Sequence, residues 1–72
     1  MQRKFELAEI IDADEAEVIR LDSLEEAMDE PWELERAVYR VISEIEVPDH
    51  PLMAPLVLNV WVQKPGEEWK AL

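Results

Sequence analysis

Cysteine and threonine are absent from this 72-residue chain, and glycine and histidine occur once each. Without cysteine there is neither a disulfide framework nor a thiolate metal site, so packing alone must hold the fold together. The single Gly66 excludes a glycine-rich phosphate cradle. With only Ser23, Ser43 and His50 as candidate nucleophiles or bases, no nucleophile, base and orienting group can be assembled at any sensible spacing. An enzyme is not expected, and neither is a cofactor. No run of about 18 apolar residues occurs, which excludes a transmembrane helix. The opening MQRKFELAEI interleaves Glu6 and Glu9 with its apolar positions, so it lacks the uninterrupted apolar stretch of a signal peptide. A single domain spanning residues 1–72, working in the cytoplasm, is the expectation.

Positive charge is also scarce, with seven bases against eighteen acids and a net charge of −11. The imbalance is local. Residues 5–35 hold thirteen acids and one base, Arg20, a net −12, whereas the remaining positions come to +1. Such a segment repels phosphates, so direct binding to nucleic acid or to an anionic membrane is disfavoured and a basic protein surface is the natural partner.

The densest part is DADEAE at residues 12–17. A calcium loop starting at Asp12 would place Asp14 well. It would then need an oxygen ligand where Ala16 stands, a glycine where Glu17 stands and a bidentate glutamate where Ser23 stands. Three key positions fail, and no dedicated metal site is expected; a solvated hairpin turn accounts for these residues.

Around that turn, residues 4–11 and 17–21 read as two strands, with Val18 and Ile19 supplying β-branched character. For residues 4–11 a helix lined by Leu7, Ala8, Ile10 and Ile11 remains an alternative. Ser23 and Glu26 have capping-box spacing, which predicts a helix opening at DSLEEAM. Leu24, Ala27, Leu34, Val38, Val41 and Ile45 then recur at steps of three, four or seven, and extend that helix, with a kink or break at Pro31. Pro48, Pro51 and Pro55 mark a loop, residues 56–63 a strand, and residues 64–67 a Pro-Gly turn returning through residues 68–72. With Lys64 opposite Glu67, Val62 should face Trp69 and Trp61 should face Lys70 on the outer side of the sheet. The expected fold is α+β: a small β-β-α-β-β domain, one long kinked helix packed on a mainly antiparallel sheet.

Two surfaces follow. Asp12, Asp14, Glu15, Glu17, Asp22, Glu25, Glu26, Asp29, Glu30 and Glu33 form a candidate acidic partner-binding face. Carboxylates repeat at about 6.6 Å along one strand face and about 6 Å at i/i+4 helix positions, so an ordered array approximates a row of backbone phosphates. On the expected helix Trp32, Arg36, Tyr39 and Ser43 fall about 140° to 200° from Leu34, opposite the core stripe. Trp32, Arg36 and Tyr39, with Trp61 on the sheet, are therefore candidate anchors for a partner or a second copy, Trp, Tyr and Arg being enriched at interface hot spots.

The hairpin followed by LDSLEEAM resembles the start of HicB-type antitoxins, without the glycines and Pro-Asp-Leu-Pro-Gly turn of that family. An acidic chain of this size with a closing hairpin is similar to small phage inhibitors of uracil-DNA glycosylase and of CRISPR surveillance complexes. The second resemblance, with the charge and size of the chain, implies a phage- or mobile-element-type inhibitor that mimics nucleic-acid charge, of the anti-CRISPR, anti-restriction or DNA-repair-inhibitor class. The alternative is an antitoxin-like or structural homo-oligomer built through the Trp32/Tyr39 helix face, its acidity serving only solubility or salt adaptation.

Overall fold

The computed structural model describes residues 2–72. Strands β1 (Gln2–Ile10), β2 (Ala16–Leu21), β3 (Tyr39–Val47), β4 (Leu56–Gln63) and β5 (Lys70–Ala71) form one sheet in the order β2-β1-β3-β4-β5, with every neighbouring pair antiparallel. Helix α1 (Leu24–Asp29), the one helix among the described residues, lies between β2 and β3 in the chain. The fold is a small α+β domain with a five-stranded antiparallel sheet.

The acidic loop is built by its first residue. Asp12 Oδ1 accepts the backbone N–H groups of Asp14 at 2.7 Å and Glu15 at 3.0 Å, while Ile11 N–H donates to the Glu15 carbonyl at 3.0 Å. This is the local side-chain-to-backbone turn that aspartate favours. It sets the hairpin register from Ile10↔Ala16 to Phe5↔Leu21. Residues 4–10 are strand, which resolves the helix alternative.

α1 begins where the capping signal placed it. Ser23 Oγ accepts Glu26 N–H at 3.1 Å, although the reciprocal bond from Ser23 N–H to the Glu26 carboxylate is not formed. The helix then stops after six residues. Glu30, at φ −64° and ψ 131°, already has the extended geometry that a following proline imposes, and Pro31 ends the helix rather than kinking it. The expected long helix is thus replaced by a short one, an irregular segment and a nine-residue strand, β3.

The physical reason lies in what buries β3. Its register with β1 is unbroken, so its even positions share a face with Phe5, Leu7 and Glu9, and its odd positions share the other face with Lys4, Glu6 and Ala8. Ile42 is buried on the first face and Ile45 on the second. A central strand buried on both sides loses clean alternation, and the Val38, Val41, Ile42 and Ile45 spacing then imitates a helical stripe. The β-branched content of VYRVISEIEV is the propensity signal that the periodicity outweighed.

α1 covers the first face. Leu7, Ala27 and Ile42 form the buried centre, with Phe5, Leu21, Leu24, Met28, Trp61 and Trp69 packed around them. Burial of a side chain such as Leu7 or Ile42 contributes roughly 1.5–3 kcal/mol. The other face carries no helix among the described residues.

The closing hairpin turns at Pro65-Gly66, with Glu67 N–H donating to the Lys64 carbonyl at 3.1 Å and Gly66 at φ 78°. That combination is a turn with proline second and a positive-φ glycine third. Beyond it, however, Val62 faces Lys70 and Trp61 faces Ala71, one residue away from the expected register. The slip of one moves the residues of β5 to the other face. Trp61 itself pairs with Ile42 of β3 and so lies on the helix-covered face, not the outer one; it packs toward the core, its ring centroid 6.4 Å from that of Phe5.

Candidate protein-binding surface

The acidic residues divide by role. Asp12 is engaged in building the loop, Asp22 pairs with Lys4, and Glu15 approaches Arg36 at 3.8 Å. Glu30, half-buried, gives its carbonyl to Arg40. Asp14, Glu17, Glu25, Glu26, Asp29 and Glu33 are exposed and make no salt bridge among the described residues. They project from ordered and successive elements: the β1–β2 loop, the edge strand β2, α1 and the segment after it. Glu25 and Asp29 stand at the i/i+4 spacing on α1. β2 itself contributes only Glu17, so the strand offers no regular acidic row. Among the described residues no three carboxylate or imidazole groups converge closely enough to hold a metal ion.

The aromatic candidates do not share a face. Trp32 lies in the irregular segment before β3, with its ring 4.5 Å from the Arg40 guanidinium carbon. Arg40, an even position of β3, is on the helix-covered side, whereas Tyr39 points to the opposite side and is partly exposed. Arg36 is exposed and reaches the acidic loop. The expected patch of Trp32, Arg36 and Tyr39 depended on a helix that residues 32–39 do not form, and the structure separates its members.

In place of that patch there is a buried polar network that the charge count concealed. Glu9 is only 5% exposed, and its carboxylate accepts Glu33 N–H at 3.0 and 3.1 Å and Leu34 N–H at 3.0 Å. Arg40 is 2% exposed. It donates from Nη1 to the Glu30 carbonyl at 2.7 Å and from Nε to Gln63 Oε1 at 3.1 Å, with a second bond from Nη2 to the same oxygen. The indoles of Trp32 and Trp69 both lie against its guanidinium, the second at 5.1 Å. Burial pushes the Arg40 pKa down from the ordinary arginine value, opposed by the negative charges of Glu9 and Glu30. Trp69 Nε1 is buried and finds no acceptor among the described residues.

The sequence did hold one signal for this network. Phe5, Leu7 and Glu9 alternate along β1, so a carboxylate occupies the third inward position of an apolar face. A charge there requires partners. Glu9, Glu17, Glu30 and Glu33 also surround a small cleft of about 30 Å³ floored by Leu7, Ile19 and Pro31. It has room for about one water molecule.

No family model, curated protein or solved structure gives a significant match to this chain.

Proposed function

We propose that this chain is a small acidic protein-binding module that occupies a basic surface, of the kind that normally holds nucleic acid, on another protein in the cytoplasm. The observation that carries this reading is the set of six exposed carboxylates, Asp14, Glu17, Glu25, Glu26, Asp29 and Glu33, without salt-bridge partners and mounted on consecutive elements. Of the seven bases, Arg40 is buried, Arg3, Arg20 and Lys70 pair with Glu44, Glu6 and Glu67, and Lys4 and Arg36 pair with Asp22 and Glu15 rather than with any of the six. What remains is a concentrated negative field at one side of the molecule, suited to steering toward a cationic groove and to opposing its lysines and arginines on arrival. Inhibitors from phages and mobile elements that block CRISPR, restriction or DNA-repair proteins are the class of activity this chemistry serves.

The test is capture of partners from a cell lysate at low and at high salt, with wild type beside the variant Asp14→Lys/Glu15→Lys/Glu17→Lys. The reading requires capture that is lost at high salt and lost in the variant, with association slowed in kinetic measurements by roughly 10-fold or more. Capture indifferent to both changes would sink it.

A further inference from the structure

β2 is an edge strand. It pairs with β1 from Ile10↔Ala16 to Phe5↔Leu21 without a break, and no strand lies on its outer side among the described residues. Half of its backbone N–H and C=O groups therefore point away from β1, and none of them meets a partner among the described residues. Val18 and Ile19, 52% and 40% exposed, stand on opposite faces of this edge. The two faces differ in charge. Glu17 and Ile19, opposite Glu9 and Leu7, are on the helix-covered face, where Glu30 and Glu33 complete the cleft of about 30 Å³. The carboxylates of Glu17, Glu30 and Glu33 make no salt bridge among the described residues. On the other face Val18 lies between Ala16 and Arg20, and Arg20 is paired with Glu6 at 3.7 Å.

Given the acidic-surface reading, the geometry points to β2 as the place where the basic partner docks: an extended segment of that partner adds to the sheet as a sixth strand, with a lysine side chain reaching the cleft. An unpaired edge offers main-chain hydrogen bonds to an incoming strand, and sites for its alternate side chains supply the selectivity. Charge selects the occupant. Side chains of an added strand alternate between the two faces, and the strand itself lies about 4.8 Å from β2. Those on the helix-covered side meet Glu17 and the mouth of the cleft, and those on the other side meet Val18. The complementary segment therefore alternates lysine with uncharged β-branched residues. Lysine fits better than arginine, because the cleft has room for about one water molecule. That space suits a compact ammonium on a four-carbon stem and not a planar guanidinium. A second copy of the chain is the wrong occupant, since two β2 edges brought together would join two segments that each carry a net −12. The acids that draw a basic strand also turn away a copy.

Three blocked peptides, each six residues long like β2, probe the edge. One alternates lysine with threonine, one alternates arginine with threonine, and the third is the lysine peptide N-methylated at every backbone amide, which keeps its charges and loses its backbone donors. In NMR titrations of the full chain, the lysine peptide should shift the amide resonances of residues 16–21 saturably and slow hydrogen exchange there. Methylation should weaken binding by roughly 10-fold or more through the lost main-chain bonds. The arginine peptide should bind more weakly by roughly 3-fold or more, a preference that Glu17→Gln/Glu33→Gln should erase. Equal binding of the methylated peptide, or shifts at the acidic residues that leave 16–21 unmoved, would overturn this mode of docking and leave the acidic surface itself standing. Failure of all three peptides to bind saturably would overturn it as well, whatever the lysate capture shows. A wild-type chain that sediments as a dimer and becomes monomeric in Val18→Lys would give the edge to a second copy instead, which also overturns the proposal.

Discussion

Glu9 and Arg40 stand opposite each other on β1 and β3, both buried, yet each directs its hydrogen bonds elsewhere: Glu9 to the N–H groups of Glu33 and Leu34, Arg40 to the Glu30 carbonyl and Gln63. The carboxylate takes donors and the guanidinium supplies an acceptor's partner on the same short stretch, so the two charges fasten residues 30–34 to the sheet between them. Their mutual attraction offsets part of the cost of burying both.

Removing either charge should strand the other. Glu9→Ala is expected to lower stability by about 3–5 kcal/mol, because the N–H groups of Glu33 and Leu34 lose their acceptor and Arg40 loses its nearest counter-charge. Arg40→Met should cost a similar amount. In a domain with about 0.1 kcal/mol of stability per residue either change threatens the fold. Urea unfolding followed by circular dichroism measures both, and in the double variant the combined loss should fall short of the sum by about 1 kcal/mol or more.

Gly66 isolates a backbone effect. A Cβ at this position would meet nothing within 4 Å, so Gly66→Ala introduces no clash and its cost comes from the positive φ alone. A loss of about 1 kcal/mol is expected, with Gly66→Asn intermediate because asparagine tolerates this region. Thermal unfolding of the three proteins would rank them.

Ser23 is the one side-chain cap of α1. Ser23→Ala should cost about 1 kcal/mol, whereas Glu26→Gln should change stability by less than about 0.5 kcal/mol, since the Glu26 carboxylate makes no return bond. A larger loss for Glu26→Gln than for Ser23→Ala in urea melts would reverse the roles assigned to them.

Trp32 and Tyr39 should part company under mutation. Trp32→Ala removes a ring stacked on a buried guanidinium and should destabilise by about 2–4 kcal/mol. Tyr39→Ala, at a partly exposed position, should cost about 1 kcal/mol or less. Neither should alter the sedimenting mass of the folded protein, and a selective loss of association in Tyr39→Ala would restore the aromatic face as an interface.

The contrast between these residues also explains how much could be read from the chain alone. The two hairpins, the Ser23 cap, the Pro65-Gly66 turn and the bounds of β4 are local features, written in neighbouring residues, and they were legible. β3 was not, because its central place in the sheet depends on pairing with β1, which lies far away in sequence. The offset of β5 was hidden for a related reason: Glu68 and Trp69 follow the turn without joining the strand, so turn geometry alone does not set the pairing. The acidic residues could be located from sequence, but which of them are exposed and unpaired is a property of the fold. Glu9 shows the difference, counted with the others by charge and separated from them by burial.

The pairing of β1 with β3 has a bearing on how the molecule is made. The first hairpin needs only residues 2–21, but its inner strand cannot gain its second neighbour until residue 47 has been added. Contacts of that sequence separation form slowly. On the ribosome, the hairpin must therefore wait with the β3-facing edge of β1 uncovered.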